Sequence, residues 1–417
     1  MKQKTKIVIV GNGFGGTYVL RDLHKYFHKH KNVELTLIGE KNYFLFTPLL
    51  HEVATGGINP ENIVEPIRKV FGCCLDKFYL GKVDSIETKN NIVKVGSDII
   101  PYDYLVLAPG AETNFFNIPG AQEHTFTLKS INDAMAIKNH LVTQMERASH
   151  TENDIERRKI LNFVIVGGGP SGVEVTAEVR ELVTHTFSRY YSPELIKDTS
   201  VTLIQRDTEL LPMFGPKIRQ KSLQVLRKKG INVMLESIVE EVGAEYVKLQ
   251  SGQVIDTETI IWVAGIKPRK IDFDTEVNKT PDGKMIVNEF LQVENIENIA
   301  NIFALGDVVA FKVGEKGFLP TIAQVATKEA MAVAENLRLL IVHKPMKKFI
   351  YKSKGNLVSL GQWMAAGEIS NVSFYGHIAW WLWRTVYLSK MITFRKKVKV
   401  AIDWTINIFS PRDISQI

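Results

Sequence analysis

Short apolar runs released into glycine-rich turns set the rhythm of this 417-residue chain. Lys6-Ile-Val-Ile-Val10 leads into Gly11-Asn-Gly13-Phe14-Gly15-Gly16, and Phe163-Val-Ile-Val166 leads into Gly167-Gly-Gly169-Pro170-Ser-Gly172. Each run reads as a strand, and each glycine set opens a helix-like stretch. The same run-then-turn pattern returns five times. Val33–Ile38 ends in Gly39-Glu40, and Tyr102–Leu107 ends in Ala108-Pro109-Gly110. Ser200–Ile204 ends in Gln205-Arg206, Thr259–Val263 in Ala264-Gly265, and Asn301–Leu305 in Gly306-Asp307. The pattern predicts an α/β fold with two Rossmann-like dinucleotide-binding domains. A lone G-x-G-x-x-G says little; two in strand–turn–helix context suggest two dinucleotide sites and electron passage between cofactors.

Each turn has a physical rationale. The first glycine makes the tight turn, the second lets backbone approach a pyrophosphate, and the last lets helix and strand pack closely. The helix N-terminus then offers free N–H groups and a positive dipole end. Glu40, 24 residues beyond Gly16, stands where a carboxylate would accept ribose hydroxyls, or is a solvated acid at a strand end. At the second site the corresponding strand ends in Gln205, which removes the repulsion that an acid offers to a 2′-phosphate. Arg206 then supplies a cation, so both NADH and NADPH stay open.

Composition narrows the class. Hydrophobic residues make up 45% and charged residues 23%, a globular mix with room for two or three domains. The formal charge of +7 is mild, and with no recognition pattern for bases it gives no nucleic-acid partner. No metal-ligand set is expected. The two cysteines, Cys73 and Cys74, are adjacent; they make a disulfide framework implausible and fit a reducing compartment. The N-terminal apolar run is too short for a signal peptide, and no 18-residue uncharged apolar stretch predicts a spanning helix.

The first fingerprint, the Ala108-Pro109-Gly110 turn and Gly306-Asp307 together resemble the FAD domain of two-dinucleotide-domain flavoprotein reductases. The resemblance implies FAD at the first turn and NAD(P)H at the second, with Glu174 near the nicotinamide. Leu319-Pro-Thr-Ile-Ala323-Gln324-Val-Ala326-Thr-Lys328 resembles the Ala-Gln-x-Ala-x-Gln helix start of type II NAD(P)H:quinone oxidoreductases, with Lys328 in place of the second Gln. Lys41-Asn-Tyr-Phe-Leu-Phe-Thr47-Pro48 resembles the stretch that runs along the flavin in that family.

The C-terminal region adds a third likeness. Residues 376–417 hold four of the six tryptophans, seven Lys/Arg and two Asp, a net +5 of the chain's +7. That mixture describes short amphipathic helices lying in a membrane interface, or a buried interface between copies or domains. The type II resemblance covers nearly the whole chain. It implies an FAD domain split as 1–125 and 285–343, an NAD(P)H domain at 126–284, and a membrane-association or dimerisation region at 344–417. It also implies a monotopic homodimer on the cytoplasmic face of the membrane, passing electrons from NAD(P)H through FAD to a membrane quinone without proton pumping. Glu174, Gln324 and Lys328 are the expected catalytic side chains, and Lys396 approaches the quinone path. Sulfide:quinone and ferredoxin-type reductases, and an apoptosis-inducing-factor-like NAD(P)H-binding flavoprotein, are the alternatives.

Overall fold

The computed structural model describes residues 4–28, 32–72, 75–294, 301–314, 317–369 and 372–416; Cys73 and Cys74 lie outside them. In chain order the elements that matter below are β1 (Thr5–Val10), α1 (Phe14–Phe27), β2 (Val33–Gly39), β3 (Lys77–Leu80), β4 (Tyr104–Leu107), α2 (Ile131–Ser149), β5 (Asn162–Val166), α3 (Pro170–Glu181), β6 (Ser200–Ile204), β7 (Asn232–Met234), β8 (Thr259–Trp262), β9 (Ile302–Ala304), α4 (Ala323–Ile341), β10 (Asn356–Ser359), β11 (Ala365–Ile369), β12 (Val372–Gly376), α5 (His377–Lys390) and α6 (Phe394–Phe409). They fall into two compact units. The first comprises residues 1–45, 64–112 and 266–352, the second 46–63, 113–265 and 353–417.

The first unit is built on a parallel five-stranded sheet in the order β9-β4-β1-β2-β3. Ile7, Val8, Ile9 and Val10 are all buried, so β1 is covered on both faces, which is why its sequence does not alternate. Val10 pairs with Ile38 and with Leu107, so three strand ends line up and present Gly11, Glu40 and Ala108 at one edge. Helices α1 and α4 pack against each other, with Gly15, Gly16, Ala330 and Ala334 buried.

The second unit repeats the plan. Its parallel sheet runs β7-β6-β5-β8, and Val166 pairs with Ile204 and Trp262. Trp262 is packed among Val164, Val166, Ile204 and Ile260, and its indole N–H donates to the Asn114 carbonyl at 2.9 Å. Helix α2 starts at a capping box in which Ser130 and Asp133 satisfy each other's backbone N–H groups. The stretch after α3 stays helical through a π turn (Leu182–Thr186) and a tight turn (Phe187–Arg189), then forms a short helix, Pro193–Asp198.

The C-terminal part of this unit is an antiparallel sheet, β10-β11-β12, with α5 laid against it. Trp380, Trp383 and Trp404 are buried, which leaves Trp381 as the exposed tryptophan of this region. The tryptophans therefore serve mainly as core. Phe394, Val398, Ile402 and Ile406, four residues apart on α6, form an exposed apolar row. No helix among the described residues is long and apolar enough to cross a membrane.

The chain end is tied into the unit's interior. Trp404 Nε1 donates to Glu52 Oε2 at 2.6 Å, and Asp403 accepts from Asn62 Nδ2 at 2.7 Å. Arg412 donates to Glu178 Oε2 at 2.5 Å and to Thr55 Oγ1 at 2.7 Å. Removing one member of a buried ion pair strands the other. Arg412→Ala is expected to lower unfolding free energy by about 3–5 kcal/mol. The double variant Arg412→Met, Glu178→Gln should recover most of that loss in chemical denaturation.

Candidate functional site

In the first unit, Gly11 has φ +97° and turns against the backbone at the end of β4; a Cβ there would run into the Ala108 carbonyl. A Cβ on Gly16 would run into the Gly11 carbonyl, so α1 starts in direct contact with the turn. Gly13 has nothing around its Cβ position and is exposed. Helix α1 has no side-chain cap and no acid in its first turn. This leaves an open cradle of backbone N–H groups, which fits a diphosphate. Asn12 braces the turn by donating to the carbonyls of Lys41 (2.6 Å) and Tyr43 (2.8 Å).

The other expected residues of this unit surround the same strand ends. Phe14 meets Phe44 edge-on at 5.1 Å, Ala108 is buried, and Gly110 is half-buried. Glu40 is exposed and its carboxylate accepts from Arg269. Gly306 has φ +77°, and its N–H donates to Glu329 Oε2 at 2.7 Å, which fixes the turn carrying Asp307. Burial pushes the Glu329 carboxyl up to about 8, with Asp307 adding to the effect and the Gly306 N–H opposing it. Ala323 begins α4. Gln324 Nε2 donates to the Tyr351 hydroxyl at 3.1 Å, and Lys328 follows one turn later, half-buried.

In the second unit the same construction recurs. Gly167 (φ +118°) turns against the Val263–Ala264 backbone, and Gly172 sits against the Gly167 carbonyl. Gly169 has open space around it, and Pro170 begins a helix with no acid in its first turn. Ala264 is exposed; Gly265 is backed by the Phe116 ring. Gln205 faces inward. Its Oε1 accepts the Gly168 N–H at 2.8 Å and its Nε2 donates to Asp207 Oδ2 at 2.7 Å. The carboxamide is thus occupied within the loop, and Arg206, Asp207, Thr208 and Glu209 follow it as exposed polar residues.

Thr47 and Pro48 lie in this unit, in a short turn that delivers His51 and Glu52 to its interior. There they join Glu174, Glu178, Arg384 and Arg412. Glu174 Oε1 accepts the Ser359 N–H at 3.2 Å, and Oε2 lies 3.7 Å from His51 Nδ1. Burial pushes Glu174 up to about 8, and Glu52 and Glu178 push the same way. Glu52 is pushed up to about 7, again first by burial. Burial lowers His51 to about 4, so at neutral pH the 3.7 Å contact joins a neutral imidazole to a protonated acid. Arg384 lies over the Trp380 and Trp404 rings at 3.6 and 4.7 Å and is lowered to about 10, still charged. Glu52, Glu178, Arg384 and Arg412 line a cavity of about 20 Å³, room for one water.

Sequence reasoning missed Glu52, His51, Arg384 and Arg412. One signal was present: Glu174, Glu178 and Glu181 recur at helical spacing on a helix whose other buried residues are small or apolar.

A family model described as pyridine nucleotide-disulphide oxidoreductase matches residues 5–330, and one described as NDH2 C-terminal domain matches residues 353–413. A Dictyostelium discoideum protein called a probable NADH dehydrogenase is 31% identical, covering 99% of this chain and 91% of its own. The type II NADH:quinone oxidoreductase of Mycobacterium tuberculosis is 29% identical, covering 98% and 89%. The solved structure of NDH2 from Plasmodium falciparum in complex with NADH superposes with a TM-score of 0.91 at 22% identity, covering 99% of this chain and 100% of that one. The sulfide:quinone oxidoreductase of Aquifex aeolicus gives 0.76 at 19% identity, covering 97% and 95%.

Glu329 offers a check that needs no ligand. The folded state holds its proton up to about 8, whereas the unfolded chain releases it near 4.5. Its stabilising contribution is therefore whole below about 4.5 and lost as pH rises to about 8. Glu329→Gln keeps an acceptor for Gly306 and cannot ionise. Its melting temperature should fall less than wild type's between about pH 5 and about pH 8.5. Parallel curves would show that Glu329 does not titrate in this range.

Proposed function

This chain belongs to the pyridine nucleotide-disulphide oxidoreductase family, and we propose that it is a membrane-associated flavoenzyme that oxidises NAD(P)H and reduces a quinone. One combination of observations carries the reading: two open glycine turns at equivalent strand ends, in a chain whose residues 353–413 match the NDH2 C-terminal domain. The names of its relatives, NADH dehydrogenase and NADH:quinone oxidoreductase, favour this over the sulfide, ferredoxin and partner-binding alternatives.

In this reading the Gly11–Gly16 turn, Glu40, Ala108 and Gly306-Asp307 hold FAD, and the Gly167–Gly172 turn holds the nicotinamide nucleotide. FAD supplies the two-electron relay between a hydride donor and a quinone. The chain's own work is to hold both dinucleotides by backbone N–H groups and to manage protons. The overall reaction, NAD(P)H + H⁺ + quinone → NAD(P)⁺ + quinol, takes one proton from the medium each turnover. Glu174 is a protonated acid at neutral pH and can donate it, and Glu52, pushed up to about 7, is a second buried acid of the same unit that can hold a proton. Gln324 and Lys328 stand on one face of α4 to contact the quinone headgroup. The exposed row Phe394–Val398–Ile402–Ile406, with the basic residues beside it, rests on the cytoplasmic leaflet, each cation adding roughly 1 kcal/mol near an anionic surface. The domain boundaries 1–125, 126–284, 285–343 and 344–417 and a homodimer complete the reading.

The deciding experiment mixes the purified yellow protein anaerobically with NADH or NADPH, then adds a short-chain quinone. Bleaching followed by rapid recolouring is expected. Bleaching without recolouring by quinone would sink the quinone assignment. Glu174→Gln should then slow quinone reduction by about 100-fold and remove the fall in rate as pH rises through about 8. Bleaching by the nucleotide should be unchanged; if bleaching slows instead, Glu174 acts at the nicotinamide.

A further inference from the structure

The tip of β6 lacks the carboxylate that ordinarily selects NADH at this place, and its own side chain, Gln205, is turned into the loop. The backbone of Gln205 still belongs to the sheet: its N–H donates to the Met234 carbonyl at 2.8 Å, and its carbonyl accepts from Ser237 at 2.9 Å. The next residues fold over the glycine turn. The Leu211 N–H donates to the Gly168 carbonyl at 2.8 Å, while the Gly168 N–H donates to Gln205 Oε1 at 2.8 Å. Both backbone polar groups of Gly168 are therefore bound by the 205–211 segment, and that segment forms one wall of the nucleotide cradle.

On that wall the Asp207 carboxylate has two partners, and its backbone a third. Oδ2 accepts from Gln205 Nε2 at 2.7 Å, and Oδ1 lies 3.3 Å from Arg206 Nε. The Asp207 carbonyl accepts the Glu236 N–H at 3.1 Å, which anchors its backbone. The side chain remains half exposed, at 51%. The other acid of the loop, Glu209, accepts from Arg219.

We propose that Asp207, positioned by Gln205, is the carboxylate that accepts the adenosine ribose hydroxyls of NADH and repels the 2′-phosphate of NADPH. The assignment rests on the reading of this unit as the nicotinamide-nucleotide unit. Two neighbouring hydroxyls match a fixed carboxylate, whose oxygens accept and cannot donate. A 2′-phosphate that approaches Arg206 meets Asp207 beside it, so the cation is already neutralised where the phosphate would need it. Gln205 therefore does not open the site to NADPH; it moves the acid two residues along the chain and holds it there.

The test compares kcat/KM for NADH and NADPH in the wild type, Asp207→Asn, Gln205→Ala and Arg206→Ala, using the flavin-loaded enzyme and a short-chain quinone. The wild type should favour NADH. Asp207→Asn, nearly isosteric, should lower the NADH:NADPH ratio by about tenfold or more, through loss of one charge-assisted contact and of the repulsion. Gln205→Ala should shift the ratio the same way by less, mainly in KM, because the carboxylate is released rather than removed. Reoxidation of pre-reduced enzyme by quinone should be unchanged in all three. A ratio within about twofold of wild type in Asp207→Asn overturns the proposal. So does a wild type that prefers NADPH, or selective loss of NADPH use in Arg206→Ala. If neither nucleotide bleaches the wild type, the nucleotide reading itself fails and the proposal with it.

Discussion

Everything in the two nucleotide cradles depends on one backbone contact: the first glycine of each turn lies directly on the end of a neighbouring strand. Gly11 rests on the Ala108 carbonyl, and Gly167 rests on the Val263–Ala264 backbone. A side chain at either glycine would push the turn off the sheet, and both have positive φ, which only glycine adopts without strain. The last glycine of each set closes the construction by letting the helix start against the turn's own carbonyl. The N–H groups of that helix can then point at a ligand because no side chain caps them. The same sequence solution, placed 156 residues apart, yields the same local geometry because the constraint is steric and local.

That locality explains which parts were legible in the sequence. Strands predicted at Lys6–Val10, Phe163–Val166 and Ser200–Ile204 occur at Thr5–Val10, Asn162–Val166 and Ser200–Ile204. Each is an unbroken apolar run ended by a glycine or polar residue, a signal that survives without tertiary context. The interior charges were not legible, because they come from four distant segments. His51 and Glu52 follow the Thr47-Pro48 turn, Glu174 and Glu178 sit on α3, Arg384 on α5, and Arg412 near the chain end. Nothing local marks Arg412 as buried; only its bond to Glu178 does. The tryptophans misled for the opposite reason. Their density near a basic cluster resembles an interfacial belt, yet Trp380, Trp383 and Trp404 fill the core beside β10–β12. Composition reports which residues are present, and only packing decides which way each one faces.

The charged interior is costly, and its cost constrains how it works. Each ion taken out of water loses several kcal/mol of hydration, about as much as good pairing returns. The unit limits the loss by keeping few of these groups ionised: Glu174 and His51 are neutral at pH 7, and Glu52 is near its midpoint. Arg412 is matched to Glu178, and Arg384 is sandwiched between indole rings that favour a cation. A set of acids held near neutrality by burial is poor as a structural brace. It is well suited to passing protons, because adding or removing one changes the energy little.

This arrangement also gives the C-terminal segment a role in the interior of the second unit. Trp404 donates to Glu52 and Arg412 to Glu178, so α6, which presents the exposed apolar row, and the residues just after it also complete the buried polar cluster. Displacing α6 would remove the indole donor from Glu52. The segment from α5 to Arg412 is therefore part of the interior of the second unit. Glu52 owes its raised pKa first to burial and then to Glu178, while Arg384 on α5, Trp404 on α6 and Arg412 just beyond it pull the other way, so the packing of this segment and the protonation of Glu52 are linked.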